Sequence, residues 1–346
     1  MKILLGLSGG VDSTYAALKL KNEGHEVEGA VVLMHEYTEA SAAEESAASL
    51  GIPLHIIDAR EEFEKIVKQN FIFEYTHART PNPCVICNSE VKFIKLLEYA
   101  ESNGFDMIAT GHYAGVVKLE DGTDSRYAIK RGLDEKKDQT YMLWRLPQRV
   151  LSKLMLPLSD MMKSEIREQS RTAGLSAADR TDSQEICFLP DGGYAEFIES
   201  RAGASIKGSF IDEAGNVLGE HKGIIHYTVG QRRGLGISAA SRIFVTKIDP
   251  VSNTVTLSPN DSFATCVSVS GIVYSGMKPL YDGEELNLSV KLRYAARPTA
   301  ATVKFFGDRA EVLLAEPVRA VTPGQSAVFY DGDLLLAGGF IDTAKS

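Results

Sequence analysis

The sequence predicts an α/β protein: a doubly wound parallel sheet, then a small β-rich middle domain and a C-terminal β-barrel. Three observations carry this expectation. The chain opens on a strand, a glycine turn and a helix; strand and helix patterns then alternate as far as Tyr113; and after about residue 195 the texture changes to short, glycine-punctuated β-type runs.

Each element follows in order. Ile3 to Leu7 form an apolar run too short for a helix, the loop Ser8-Gly9-Gly10 follows, and Tyr15, Ala16, Leu18 and Leu20 recur at helical spacing, which predicts a helix from Asp12 or Ser13. Consecutive glycines let backbone N–H groups point into one concavity, and the helix N-terminus adds the positive end of its dipole, so an anion belongs there. A Walker loop would end in Gly-Lys-Ser/Thr, whereas this one reads Val11-Asp12-Ser13. Strand "EGAVVLM", a helix from Ala40 to Leu50, strand Leu54 to Asp58 and helical "EEFEKIVKQNFIFEY" come next. A proline-rich loop, the helix "SEVKFIKLLEYAESNG" and the strand "FDMIATGHY" complete the alternation. Ligands of such sheets sit at the carboxyl ends of the strands, where both the glycine loop and Gly111-His112 would lie. Further on, "GIIHYTVGQ", "RIFVTKID" and "TVTLS" suit a small β module, and "CVSVSGIVY", "ELNLSVKLRY", "ATVKFF", "RAEVLLA" and "SAVFY" suit a barrel of about six strands. The expected domains are residues 1–195, 196–262 and 263–346.

Composition narrows the function classes. At 346 residues, about two or three domains are expected. A hydrophobic share of 44% with 24% charged residues is that of a globular protein, and no apolar run approaches the ~20 residues of a membrane span. Met1 leads directly into a strand, so no signal peptide is expected and the cytoplasm is the expected compartment. The four cysteines are then expected as reduced thiols. The net charge of −9 is unevenly spread: residues 36–64 hold eight acidic side chains against Arg60 alone, residues 126–180 hold twelve Lys/Arg against seven Asp/Glu, and Lys222 to Lys247 contain five basic residues and no acidic one, with the pair Arg232-Arg233. Solvated faces would explain these stretches, and so would a polyanion lying across one side.

The stretch "RTPNPCVICNSEVKF" places Cys84 and Cys87 as C-x-x-C immediately before a helix that Asn88 or Ser89 can cap. A thiol at a helix N-terminus has its thiolate stabilised, so Cys87 is expected to titrate below the free-cysteine value of ~8.5. Half of a zinc site and a fortuitous pair are the alternatives. Cys187, in "RTDSQEICFLPDGGY", has turn-forming flanks around the apolar run Ile186 to Leu189; a structural cysteine is its bland alternative. Cys266 falls in an alternating pattern and is expected as a core thiol of a barrel strand.

Taken together, "GLSGGVDS", "RTPNP..ICN.EVKF", "ATGHYA", "RGLDEKKDQTYML", "TDSQEICF", "HYTVGQRRGLGI", "LRYAARP" and "VTPGQSAVFY" resemble the tRNA-specific 2-thiouridylase family, in order and through nearly the whole chain. SGGxDS alone marks only the wider ATP-pyrophosphatase loop superfamily. The resemblance implies an adenine nucleotide alpha hydrolase-like first domain whose loop grips the β- and γ-phosphates of ATP with attack at the α-phosphate, which removes the need for the Walker lysine. It implies nucleotide contacts at Gly6, Leu7, Ser8, Gly9, Gly10, Val11, Asp12, Ser13, Val32 and Gly111, with Mg²⁺ on the phosphates. It implies RNA contacts at Asn82, Pro83, Cys84, His112, Lys137, Asp138, Gln139, Arg293, Tyr294 and Gln325, to which charge adds Arg232 and Arg233. The reaction implied is adenylation of C2 of the wobble uridine in the tRNAs for Lys, Glu and Gln, then replacement of oxygen by sulfur, with AMP and pyrophosphate released. Cys187 matches the persulfide carrier and Cys87 the partner that frees the sulfur or forms a disulfide with it; a cysteine desulfurase or relay protein would donate the sulfur.

This sequence departs from many such members in one respect: they carry aspartate where it has Cys84. Three thiolates from Cys84, Cys87 and Cys187 suit a [4Fe-4S] cluster with one iron open to hydrosulfide, so cluster and persulfide routes both stand. The region after Met34 and the loop after Gly236 are also shorter than in many relatives. A zinc-stabilised RNA-binding module would leave the SGGVDS loop without purpose, and a small-molecule ligase would leave the barrel and basic stretches unexplained.

Overall fold

The computed structural model describes residues 1–121, 124–180, 186–189, 193–237 and 242–345. Residues 181–185 of the motif carrying Cys187, and 238–241 of the loop after Gly236, lie outside these.

Five parallel strands form the first sheet: β1 (Lys2–Gly6), β2 (Glu26–Leu33), β3 (Leu54–Asp58), β4 (Met107–Thr110) and, past the hairpin of β5 (Gly115–Asp121) and β6 (Asp124–Lys130), β7 (Leu154–Met155). Their order is β3-β2-β1-β4-β7, so the direction of winding reverses between β1 and β4. Ile3, Leu4 and Leu5 are all fully buried. The reason is period-two alternation with apolar residues on both faces. Ile3 and Leu5 pack with Val31 under helices α1 (Val11–Asn22) and α2 (Ser41–Leu50). Leu4 packs with Ala30 and Val32 under α3 (residues 60–76) and α4 (residues 83–102). Helices α5 (Lys163–Thr172) and α6 (Gly193–Ala202) follow, one on each of these faces.

The middle sheet has the order β10-β11-β8-β9, from β8 (Gly208–Ile211), β9 (Val217–His221), β10 (Phe244–Asp249) and β11 (Thr254–Ser258), around Phe210, Tyr227, Val245 and Val255. Here "GIIHYTVGQ" is not a strand: Ile224–His226 form a 3₁₀ turn after Gly223, whose φ of 126° ends any extended run. The third module is a closed six-stranded barrel, β12 (Phe263–Val273), β15 (Arg309–Arg319), β14 (Thr299–Phe306), β13 (Glu285–Lys291), β16 (Ser326–Asp331) and β17 (Leu334–Lys345), with β17 pairing back to β12. Leu334 of β17 also pairs with Lys130, which attaches the β5–β6 hairpin of the first module to the barrel edge.

Cys266 corrects the expectation of a core thiol. A bulge between Ala264 and Cys266 breaks the alternation, so Val267 and Val269 face the core while Cys266 lies half-buried opposite Leu313, itself 60% exposed on the outer face. Among the described residues no helix is long and apolar enough to cross a membrane.

Candidate active site

At the carboxyl ends of β1, β2 and β4 lies a cavity of about 430 Å³, lined among others by Gly6, Leu7, Ser8, Asp12, Ser13, Val32, Gly111, His112 and Gln139. Gly10 caps α1 with extended backbone and no side-chain bond, leaving the first N–H groups of the helix for a ligand. Ser13 Oγ shapes the loop: it accepts from Ser8 N at 3.2 Å and donates to Gly10 O at 3.1 Å. Gly9 has φ +78°, and a Cβ there would meet the Ala42 backbone at 2.3 Å, so it braces the loop from behind, as Val11 does from the core. Gly9, Gly10 and Val11 do not line the cavity. Gly111 lets β4 approach α1, because a Cβ there would lie 2.7 Å from Ser13 N and 2.8 Å from Asp12 C.

The lysine absent from the loop arrives from elsewhere. Lys163 Nζ, at the start of α5, donates to both oxygens of Asp12 at 2.7 Å, and Tyr113 OH donates to Oδ1 at 2.5 Å. These partners offset a carboxylate that lines the cavity at the start of α1. Gln139 Oε1 accepts from Tyr113 N at 2.9 Å, holding that strand end. His112 is bonded through Nδ1 to Thr110 Oγ1 at 2.8 Å. Desolvation, with a smaller effect from the Lys92 ammonium, pushes its pKa down to about 3, so the ring is neutral at physiological pH.

Of the thiols, Cys87 adjoins the same cavity, through Met34 on its wall. Helix α4 starts earlier than predicted, at Pro83, and its cap is Asn82, whose Oδ1 accepts from Cys84 N at 3.2 Å. Cys87 therefore stands beyond the first helical turn, at the head of a π-helical stretch, Cys87–Lys92. The dipole fades within that turn. Burial dominates instead, with Lys92 opposing it and Cys187 and Cys84 adding to it, and pushes the Cys87 thiol up to about 12, the reverse of the sequence expectation. Cys84 and Cys187 both reach solvent, yet crowding around their sulfurs pushes each upward as well. Phe188 explains how Cys187 is placed: its ring is buried edge-on against Phe63, Phe71 and Phe197, leaving the neighbouring thiol outside. Cys87 S–H donates to Met34 Sδ at 3.3 Å, and Met34 lines the cavity. Among the described residues no three His, Cys, Asp or Glu side chains converge on a site for one metal ion. Cys84, Cys87 and Cys187 lie within electrostatic reach of one another, and thiolates are the donor type by which iron–sulfur clusters are held.

Comparison with known proteins settles the family. Residues 1–191 match the model described as tRNA methyl transferase HUP domain, 195–259 the tRNA methyl transferase PRC-barrel domain, and 265–341 the aminomethyltransferase beta-barrel domain. A tRNA-specific 2-thiouridylase MnmA of Carboxydothermus hydrogenoformans is 41% identical over 361 residues, covering 99% of this chain and 97% of the relative. Proteins of the same name from Clostridioides difficile, 39% identical, and Geobacter metallireducens, 40% identical, each cover 98% of the relative. The chain belongs to the tRNA-specific 2-thiouridylase MnmA family. Among solved structures, a 4-thiouridine synthetase–RNA complex with bound ATP aligns at a TM-score of 0.37 with 19% identity, over 54% of this chain and 44% of that one.

The positions that 2-thiouridylase motifs mark for RNA contact divide on inspection. Arg232 and Arg233 are exposed on a turn of the middle module, and Tyr294 is 39% exposed beside the Lys291 ammonium. Lys137 is half-buried on the loop that carries Asp138. Asp138 is committed inward, accepting from Thr140 N and Oγ1 at 3.0 and 2.7 Å and pairing with Lys291 at 3.4 Å. Arg293 donates to Ala320 O and Thr322 Oγ1 and so braces the barrel segment after β15, whereas Gln325 Nε2 donates to Thr80 O at 2.7 Å and braces the loop before Asn82. Sequence reasoning missed Lys163, Tyr113, Met34 and Lys92. Lys92, in the thiol motif, and Tyr113, in the stretch "ATGHYA", carried a signal; Lys163 and Met34 are ordinary residues brought in by folding.

Proposed function

We propose that this 2-thiouridylase family member is an ATP-dependent tRNA-uridine 2-sulfurtransferase of the cytoplasm, built as modules 1–195, 196–262 and 263–346, acting on the wobble uridine of the tRNAs for Lys, Glu and Gln. The observation that carries the reading is the continuity of the cavity: the anion loop lines it, and Met34 joins it to the Cys87 sulfur. The C2 oxygen of uracil leaves poorly as hydroxide or oxide. It attacks the α-phosphorus of ATP instead, pyrophosphate departs, and the adenylated base then expels AMP as a hydrosulfide-level sulfur adds to C2. The N–H groups at the start of α1, with Ser8 and Ser13, hold the β- and γ-phosphates. Mg²⁺ would neutralise the phosphate oxygens, and Asp12 and Glu39 are the carboxylates on the cavity wall that would take it. His112, neutral, offers a hydrogen bond to the base or ribose without adding charge.

Cys84, Cys87 and Cys187 would hold a [4Fe-4S] cluster, which when bound supplies an iron to carry hydrosulfide delivered by a desulfurase or relay protein. The second route, a persulfide on Cys187 resolved by Cys87, draws support from the contrast between an exposed Cys187 and a buried Cys87. Arg232 and Arg233 would neutralise tRNA phosphates while the target uridine is splayed toward Asn82, Pro83 and Cys84. The test is α-labelled ATP with tRNA transcripts, under anaerobic conditions and with iron and sulfide assayed. AMP, pyrophosphate and thiolated uridine are expected, and Asp12→Ala and Asp12→Asn should remove all three. Release of ADP would overturn the reading. Full activity in iron-free enzyme would decide for the persulfide.

A further inference from the structure

Two charges on the cavity wall, those of Lys92 and Glu39, have no ion-pair partner among the described residues. The wall carries Asp12, Glu39, Lys92 and the neutral His112 as titratable groups, so Lys92 is the cation of that wall. Asp12 has Lys163 as its partner, whereas Lys92 has no carboxylate within ion-pair distance among the described residues. Its neighbours on α4 are paired: Glu90 takes Arg145 at 2.5 Å, and Lys95 takes Glu62 and Glu98. A half-buried ammonium left without a counter-ion costs solvation that a bound anion would restore. Lys92 also ends the π-helical stretch that begins at Cys87, and π turns are frequent at functional sites. Leu96, four residues on, lines the same cavity, so this face of α4 looks onto the nucleotide space. Lys92 thus shares a cavity wall with the loop for the outer phosphates and stands within electrostatic reach of His112 and of the thiols where sulfur must meet the base. The α-phosphorus has to lie between that loop and the thiols, since the base oxygen and then the sulfur act on bonds to it.

Resting on the sulfurtransferase reading above, we propose that Lys92 is the catalytic cation of adenylation, its ammonium holding the non-bridging α-phosphoryl oxygens. Charge builds on those oxygens as uracil O2 bonds to phosphorus and the bond to pyrophosphate breaks. The same ammonium stays on the AMP moiety when sulfur adds to C2 and the C2–O bond breaks with AMP taking the electron pair. No proton moves to or from Lys92 in either step.

The experiment uses full-length enzyme with tRNA, measuring ATP affinity by equilibrium dialysis and tRNA-dependent AMP formation in a single turnover. Lys92→Met is expected to keep ATP affinity within about threefold while adenylation falls about 100-fold or more, the scale of losing one transition-state donor. Lys92→Arg should recover at least about tenfold of that loss, because it restores the charge, and Lys92→Gln should not. A methionine variant that adenylates within about threefold of the wild type overturns the assignment, as does arginine activity no better than glutamine; this second comparison decides the matter if the methionine variant does not fold. Wild-type enzyme that forms ADP would instead remove the sulfurtransferase reading itself, whereas wild-type AMP with normal Lys92→Met activity removes only Lys92.

Discussion

Asp12 places a carboxylate beside the glycine loop after β1, and Lys163 and Tyr113 bond it from positions 151 and 101 residues away. Local chemistry alone would misjudge that carboxylate, and it also misjudges the thiols. Cys266 was expected in the core, but the bulge turns it outward. Cys266→Ser should therefore change stability by no more than about 0.5 kcal/mol, as for other surface exchanges, and leave thiolation intact; urea unfolding and a thiolation assay check both. His112 makes a pH prediction. Its folded pKa of about 3 lies below the ordinary imidazole value of ~6.5, so between these values the unfolded chain binds the extra proton. The contribution is neutral above about pH 6.5 and destabilises progressively as pH falls toward 3. His112→Gln should flatten that part of the stability profile between pH 7 and 5, measured as urea midpoints; an unchanged profile would mean the ring titrates normally.

At the scale of elements, the junction of β4 with α1 decides how the glycine loop after β1 is presented to the cavity. Gly111 does not need glycine for its backbone angles; it needs the absence of a Cβ against Ser13 N. Gly111→Ala should push the helix start away from the sheet, costing about 1–3 kcal/mol as overpacking does and weakening ATP binding at least about tenfold. Denaturation curves and nucleotide titration read these separately, and retained affinity would show that the junction yields elsewhere. Helix α4 makes the complementary point. Its start at Pro83 instead of Asn88 moves Cys87 away from the helix dipole and into the apolar interior, beside Val85, Ile86 and Val91. The proline was legible as a first-turn residue and Asn82 as a cap; what was missed is that Asn88 is drawn inward, donating to Met142 O at 3.1 Å.

Across the whole molecule, three modules meet just before the thiol helix. Thr80 N donates to Pro323 O at 2.8 Å, its carbonyl accepts from Gln325, and its hydroxyl lies 3.3 Å from that of Thr228 in the middle module. Gly324, with φ +89°, allows this contact, since a Cβ would stand 2.9 Å from Thr80 N. The barrel and the middle module thus fix the loop that carries Asn82 and Cys84. If tRNA phosphates rest on Arg232 and Arg233, replacing both by alanine should reduce the log–log salt slope of tRNA binding by about one to two and leave ATP affinity unchanged. Filter binding over a salt series measures the slope; an unaltered one would place the RNA elsewhere.

By itself the sequence determined the parallel sheet, the glycine turn between β1 and α1 and the six-stranded barrel, because periodicity and glycine pairs are local properties that each segment carries wherever it folds. Tertiary structure alone decided the partners of Asp12, the inward commitment of Asp138, Arg293 and Gln325, the outward turn of Cys266 and the high pKa of Cys87. These depend on which distant residue fills the next few ångströms. Burial and charge pairing act through space, and no spacing along the chain encodes them.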